Sequence, residues 1–210
     1  MRRRSARALA LVFSGFLLPI ASADRAAADA VLDCGVPAGW VGIRPEGEGP
    51  TRVDVALFVN DVNEISDAQQ RFTADLVFDV GWSDPRLAPH AGCSVARGSI
   101  WDPALVLVNR RALTATLPDR LTIGPGGRVR WFQRAYGDFS VPLDLRDFPF
   151  DRQELAFVAV STRYGPSEIE LTQNDELTGR RADLLAAGWD LGEVAAQTRT
   201  GRLGNSPVEL

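Results

Sequence analysis

The chain has 210 residues, 45% of them hydrophobic and 24% charged, which suffices for one β domain with a sizeable core and is short for two. Its net charge of −4 argues against nucleic acid as a partner, and its basic side chains are all Arg, a bias of coding rather than a basic patch. Two cysteines and one histidine are too few and too far apart for a zinc or redox cluster, so neither metal nor cofactor is assigned.

The chain opens on a basic run, Met1 to Arg7, followed by an apolar run from Ala8 to Ile20 and the small-residue pattern Ala21-Ser22-Ala23. Residues 1–23 therefore read as a secretory signal peptide, cut after Ala23. A membrane helix is the weaker alternative, because the apolar run falls short of the roughly 20 residues needed and contains Gly15 and Pro19. Cleavage removes four Arg and no acid, leaving −8. Export places Cys34 and Cys93 in an oxidising compartment, where an even pair tends to form a disulfide.

Residues 24–50 are rich in Ala, Gly, Pro and Glu and read as an irregular lead-in. From residue 51 the pattern becomes β. Val53, Val55, Leu57 and Val59 share one face of a half-buried strand. Phe72, Ala74, Leu76, Phe78, Val80 and Trp82 define the clearest strand, which ends at Trp82-Ser83-Asp84-Pro85. A polar connection through Cys93 leads to Trp101-Asp102-Pro103 and a strand from Ala104 to Asn109. Leu121–Ile123 and Arg128–Arg134 flank Gly124-Pro125-Gly126-Gly127 as a hairpin, and Phe139, Val141, Leu143 and Leu145 alternate beyond it. Short strands follow at Glu154–Val160 and Ile169–Leu171. Asp175–Ala187 reads as a polar loop or a short helical turn, and Trp189, Leu191 and Val194 start a last strand. Trp82, Trp101 and Trp189 are read as core. Many short strands at roughly ten-residue spacing argue for an all-β, antiparallel, immunoglobulin-like sandwich over residues 51–210.

Proline takes Phe148-Pro149-Phe150-Asp151 out of any ladder, so this segment projects as a loop. Its rings either fold back on the core or meet a partner surface. Asp144, Asp147 and Asp151 have no nucleophile, histidine or phosphate-binding loop beside them, so they read as loop-shaping groups, and no enzyme is assembled.

The order of these motifs (the Trp-x-Asp strand end, the Trp-x-Pro strand start, and Phe-Pro-Phe-Asp-x-Gln at 148–153) resembles the extracellular ligand-binding domain of the pentameric ligand-gated ion channels, the Cys-loop receptor superfamily. The likeness covers residues 50 to about 200. It implies a homopentamer, a small-molecule ligand at subunit interfaces, a place on the periplasmic or extracellular face of the membrane, and a transmembrane channel domain that this chain lacks. Phe148, Pro149, Phe150 and Asp151 would couple ligand binding to that domain, with a cis bond expected at Phe148–Pro149. The two cysteines that close this loop in the family fall at Val141 and Leu155, as in prokaryotic members.

The resemblance also implies the ligand residues. One face would offer Arg110 and Arg111 in a loop after Asn109, then Thr162, Arg163 and Tyr164, then the loop after Val194. The other would offer Val77, Asp79, Arg130 and Phe132. Ring positions of an amine cage hold Val77 and Thr162 instead, and the polar set Arg110, Arg111, Arg130, Arg163 and Asp79 suits an acidic or zwitterionic ligand through charge-assisted hydrogen bonds. Solvated strand faces or structural ion pairs are the plainer reading of the same charges. A tenth strand is expected after Pro207, so the sandwich is read as C-terminally incomplete. A stand-alone secreted β-sandwich that binds a small molecule or carbohydrate is the alternative.

Overall fold

A computed structural model describes residues 34–146, 150–186, 188–203 and 206–209. The signal segment, Asp147, Phe148, Pro149 and the Phe148–Pro149 bond lie outside the described residues.

The alternation at 72–82 builds the centre of the fold. β1 (Thr51–Ser66) and β2 (Arg71–Ser83) form a long hairpin. Three short strands follow, β3 (Ser94–Ala96), β4 (Leu105–Leu107) and β5 (Arg110–Ala115). β6 (Arg120–Ile123) and β7 (Arg128–Ser140) make the second hairpin. After these come β8 (Ala159–Ser161), β9 (Ile169–Gln173) and β10 (Gly179–Arg180), then a terminal hairpin of β11 (Thr200–Leu203) and β12 (Ser206–Glu209).

Among the described residues eight strands share one sheet, ordered β10-β1-β2-β7-β6-β3, with β5 also on β7 and β9 on β1; β4 and β8 pair separately. β9 and β10 both join β1 in parallel, so the sandwich is mixed rather than purely antiparallel.

Every second side chain of β2 from Phe72 to Trp82 is buried. These residues meet Trp101, Leu105, Leu107, Val129, Phe139, Val141 and Leu143 in one core. Full burial of side chains of this size contributes about 1.5–3 kcal/mol each, which makes β2 the strand the fold can least spare. Trp82 and Trp101 meet edge to face at 5.7 Å within it.

Four sequence expectations need correction. β1 runs past Val59 because bulges at Asn60 and Asn63 each insert one residue, so Val62 and then Ile65 return to the core side. Residues 154–158 form no ladder, although Leu155 and Phe157 pack against the core as their alternation requires. The strand expected at Trp189 is a single bridge to Ala186, and Trp189 is only half-buried. Phe139 belongs to β7 rather than to a separate run.

The lead-in is irregular apart from one 3-10 turn at Ala38–Trp40, yet it is anchored. Cys34 and Cys93 are disulfide-bonded with Cα atoms 6.0 Å apart. His90 Nδ1 lies 2.7 Å from the Cys34 carbonyl, and Arg86 donates to the Ile43 carbonyl while sitting over the Trp40 ring.

Candidate functional site

The solvent side of β2 and β7 carries one group of the expected ligand residues. Register sets Asp79 opposite Phe132, Val77 opposite Arg134 and Gly81 opposite Arg130. Each Arg then reaches diagonally to a carboxylate on β2. Arg130 Nε donates to Asp79 at 2.9 and 3.0 Å, and Arg134 Nε donates to Asp75 at 3.0 and 3.2 Å. Arg130 also covers the Phe132 ring at 4.9 Å. Arg128 extends the series to Asp54, which further binds Arg52 and the Thr172 hydroxyl.

These contacts fix the charge states of the face. The Arg134 hydrogen bond holds the Asp75 carboxyl below its ordinary 3.8, against partial burial. Burial pushes the Asp54 carboxyl up, but Thr172, Arg52 and Arg128 outweigh it and the net direction is down. Arg130 and Arg134 are raised by their hydrogen bonds to Asp79 and Asp75. The result is a face of alternating fixed charge with Phe132 and Tyr136 exposed between the pairs, suited to a ligand carrying both signs. Asp75, Arg134, Arg128 and Asp54 were not in the expected set. Their signal was the same alternation that placed Val77 and Asp79 on one face.

The second group is not brought together. Arg110 and Arg111 do not lie in a loop but begin β5. Arg110 donates to the Leu107 carbonyl at the far end of β4, and Arg111 donates to Ser140 and Gln70. Thr162 instead donates to Ala104, at the opposite end of β4, next to exposed Arg163. Tyr164 is only 9% exposed, packed 5.4 Å from Trp101, and its hydroxyl has no partner among the described residues. It is a core residue rather than a ligand contact within this chain.

The projecting loop is closed without a disulfide. Val141 is buried and Leu155 packs on the core. The Gln153 side chain accepts from Asp144 N at 3.0 Å, donates to the Asp144 carbonyl at 2.5 Å, and also donates to Asp151. Beyond this clasp Phe150 stands 90% exposed.

A β-sandwich whose chemistry resides in a charged sheet face and an exposed aromatic loop is a recognition module. The model of the neurotransmitter-gated ion-channel ligand binding domain matches residues 41–202, and the chain belongs to that family, one of binding domains rather than enzymes. It is 26% identical over 159 residues to a proton-gated ion channel of Gloeobacter violaceus, covering 72% of this chain and 44% of that protein. It is 30% identical over 139 residues to the human gamma-aminobutyric acid receptor subunit gamma-1, covering 61% and 30%. It is 24% identical over 157 residues to ligand-gated ion channel 4 of Caenorhabditis elegans, covering 70% and 25%. The chain thus spans less than half the length of these relatives. Among the described residues no helix is long and apolar enough to cross a membrane.

Proposed function

We propose that this chain is the ligand-sensing domain of a prokaryotic pentameric ligand-gated channel, held on the periplasmic or extracellular face of the membrane and coupled to a transmembrane pore. The observation that carries the reading is the loop ending in Phe150, clasped by Gln153 and thrust into solvent from a family sandwich. An exposed ring at such a tip is costly in water, which favours a partner surface. Val141 and Leu155, standing where the superfamily places its loop cysteines, support the prokaryotic assignment, as does the similarity to the Gloeobacter channel. Phe148, Pro149, Phe150 and Asp151 are the coupling residues of this reading.

Residues 1–23 act as the export signal, 24–50 as the lead-in and 51–210 as the binding domain. The ligand is a small acidic or zwitterionic molecule bound between neighbouring subunits of a homopentamer. Val77, Asp79, Arg130 and Phe132 contribute from one side, and Thr162 and Arg163 from the other. The paired charges on β2 and β7 support such a ligand.

The test is the reading frame downstream of residue 210. A continuation with one β-strand and then four apolar stretches of about 20 residues is expected. A clean stop followed by intergenic sequence would instead make the protein a secreted sandwich with no pore.

A further inference from the structure

Gln70 closes the turn between β1 and β2 with φ +48°, one of two non-glycine residues among those described in the left-handed region. That conformation disfavours a side chain, so its occupation by glutamine points to work done by the amide. The bonds show what the work is. Gln70 Nε2 donates to the Asp67 carbonyl at 2.8 Å, fixing the amide to its own turn. Its Oε1 accepts from Leu143 N at 2.8 Å, and its carbonyl accepts from Val141 N at 3.0 Å and from Arg111 Nη2 at 3.2 Å. One residue therefore joins the β1–β2 turn, the start of β5 and the stem of the projecting loop. Asp144, next in the chain after Leu143, is clasped by Gln153, which in turn holds Asp151 beside Phe150. Hydrogen bonds and the single peptide link from Leu143 to Asp144 thus connect Asp67 to the neighbour of the exposed ring.

We propose that Gln70 is a positioning residue that makes the 67–70 turn and the Phe150 loop move as one body. What that joint motion drives rests on the channel reading above; the joint motion itself does not. With the side chain removed, Leu143 N loses its acceptor and the turn is held to the stem only through the Gln70 carbonyl, by Val141 N and by Arg111, so the two tips gain freedom to separate.

Both native cysteines are bonded, so spin labels can be placed on Ala68→Cys and Phe150→Cys of the full chain alone. Pulsed electron–electron resonance then gives the distribution of distances between the tips. Gln70→Met keeps the length of the side chain but removes both amide bonds, whereas Gln70→Glu keeps the acceptor for Leu143 N and loses only the donor to the Asp67 carbonyl. A narrow distribution is expected for the parent, a broad one for Gln70→Met and a narrow one again for Gln70→Glu. Exchange at the Leu143 amide should accelerate about tenfold in Gln70→Met alone, while amides of β2 stay protected. Equal widths for parent and Gln70→Met would overturn the proposal, as would a loss of β2 protection matching that at Leu143. Neither outcome depends on the downstream reading frame, so failure of the clamp and failure of the channel reading are separable.

Discussion

Arg130 on β7 grips both carboxylate oxygens of Asp79 on β2, although the register sets Arg130 opposite Gly81 rather than opposite Asp79. The same diagonal recurs in Arg134 and Asp75. The diagonal does not depend on what stands opposite the arginine, since Arg134 makes it across from Val77, and the candidate ligand residues are first of all partners of each other.

Asp79→Asn should therefore release Arg130 for an incoming carboxylate at little structural cost. Exposed pairs of this kind contribute about 0–1 kcal/mol, so thermal unfolding should move little. Affinity for an acidic amino acid, followed by calorimetry, should rise in Asp79→Asn and be lost in Arg130→Ala. An unchanged affinity in both variants would remove the pair from the ligand site.

The acid response of the sheet face follows from the sign of its shifts. Asp75 is lowered by Arg134 below 3.8, so the stability it confers is fully present above that value and is lost as pH falls through its lower folded value. Asp144, lowered by its hydrogen bonds from Arg146, behaves alike. The difference in melting temperature between the parent and Asp75→Asn should stay level from about pH 5 to 7 and shrink only below about pH 4. A difference that changes between pH 5 and 7 would contradict these pairings.

Gly137 on β7 is required by close approach. A Cβ there would run into the Ala112 carbonyl of β5. Gly137→Ala should cost about 1–3 kcal/mol in urea unfolding, with β5 amides exchanging faster than those of β2. An unchanged midpoint would mean that β5 does not sit on β7 as described.

The Cys34–Cys93 bond spans 59 residues of sequence. Cys93→Ser should lower stability by about 2–4 kcal/mol and expose the 34–50 segment to proteases. A non-reducing peptide map should show the two cysteines on one linked fragment; free thiols in the native protein would be the contrary result.

The parts of the fold legible in the sequence were those where alternation runs unbroken. β2 could be read residue by residue because one buried face obeys a period of two. β1 was legible only to Val59, since each bulge shifts the phase and makes 59, 62 and 65 look non-periodic. At 154–158 the pattern correctly reported which side chains face the core, but alternation says nothing about whether a backbone partner is at hand. Trp189 misled because an aromatic among polar residues can be half-buried on a loop. For the site, Asp79 and Arg130 shared a readable face. Arg110 and Arg111 did not reveal that β5 begins at once after Asn109, and Tyr164 gave no hint that Trp101 would cover it. Gln70 carried no pattern, because its role depends on contacts with residues about seventy positions away.

The proposed channel role requires five copies of this domain to assemble around one axis. Native mass spectrometry of the exported product of the complete locus, released in mild detergent, tests it most directly. A pentamer that stays assembled when Phe150 is replaced by Ala is expected. A monomer under the same conditions would contradict it.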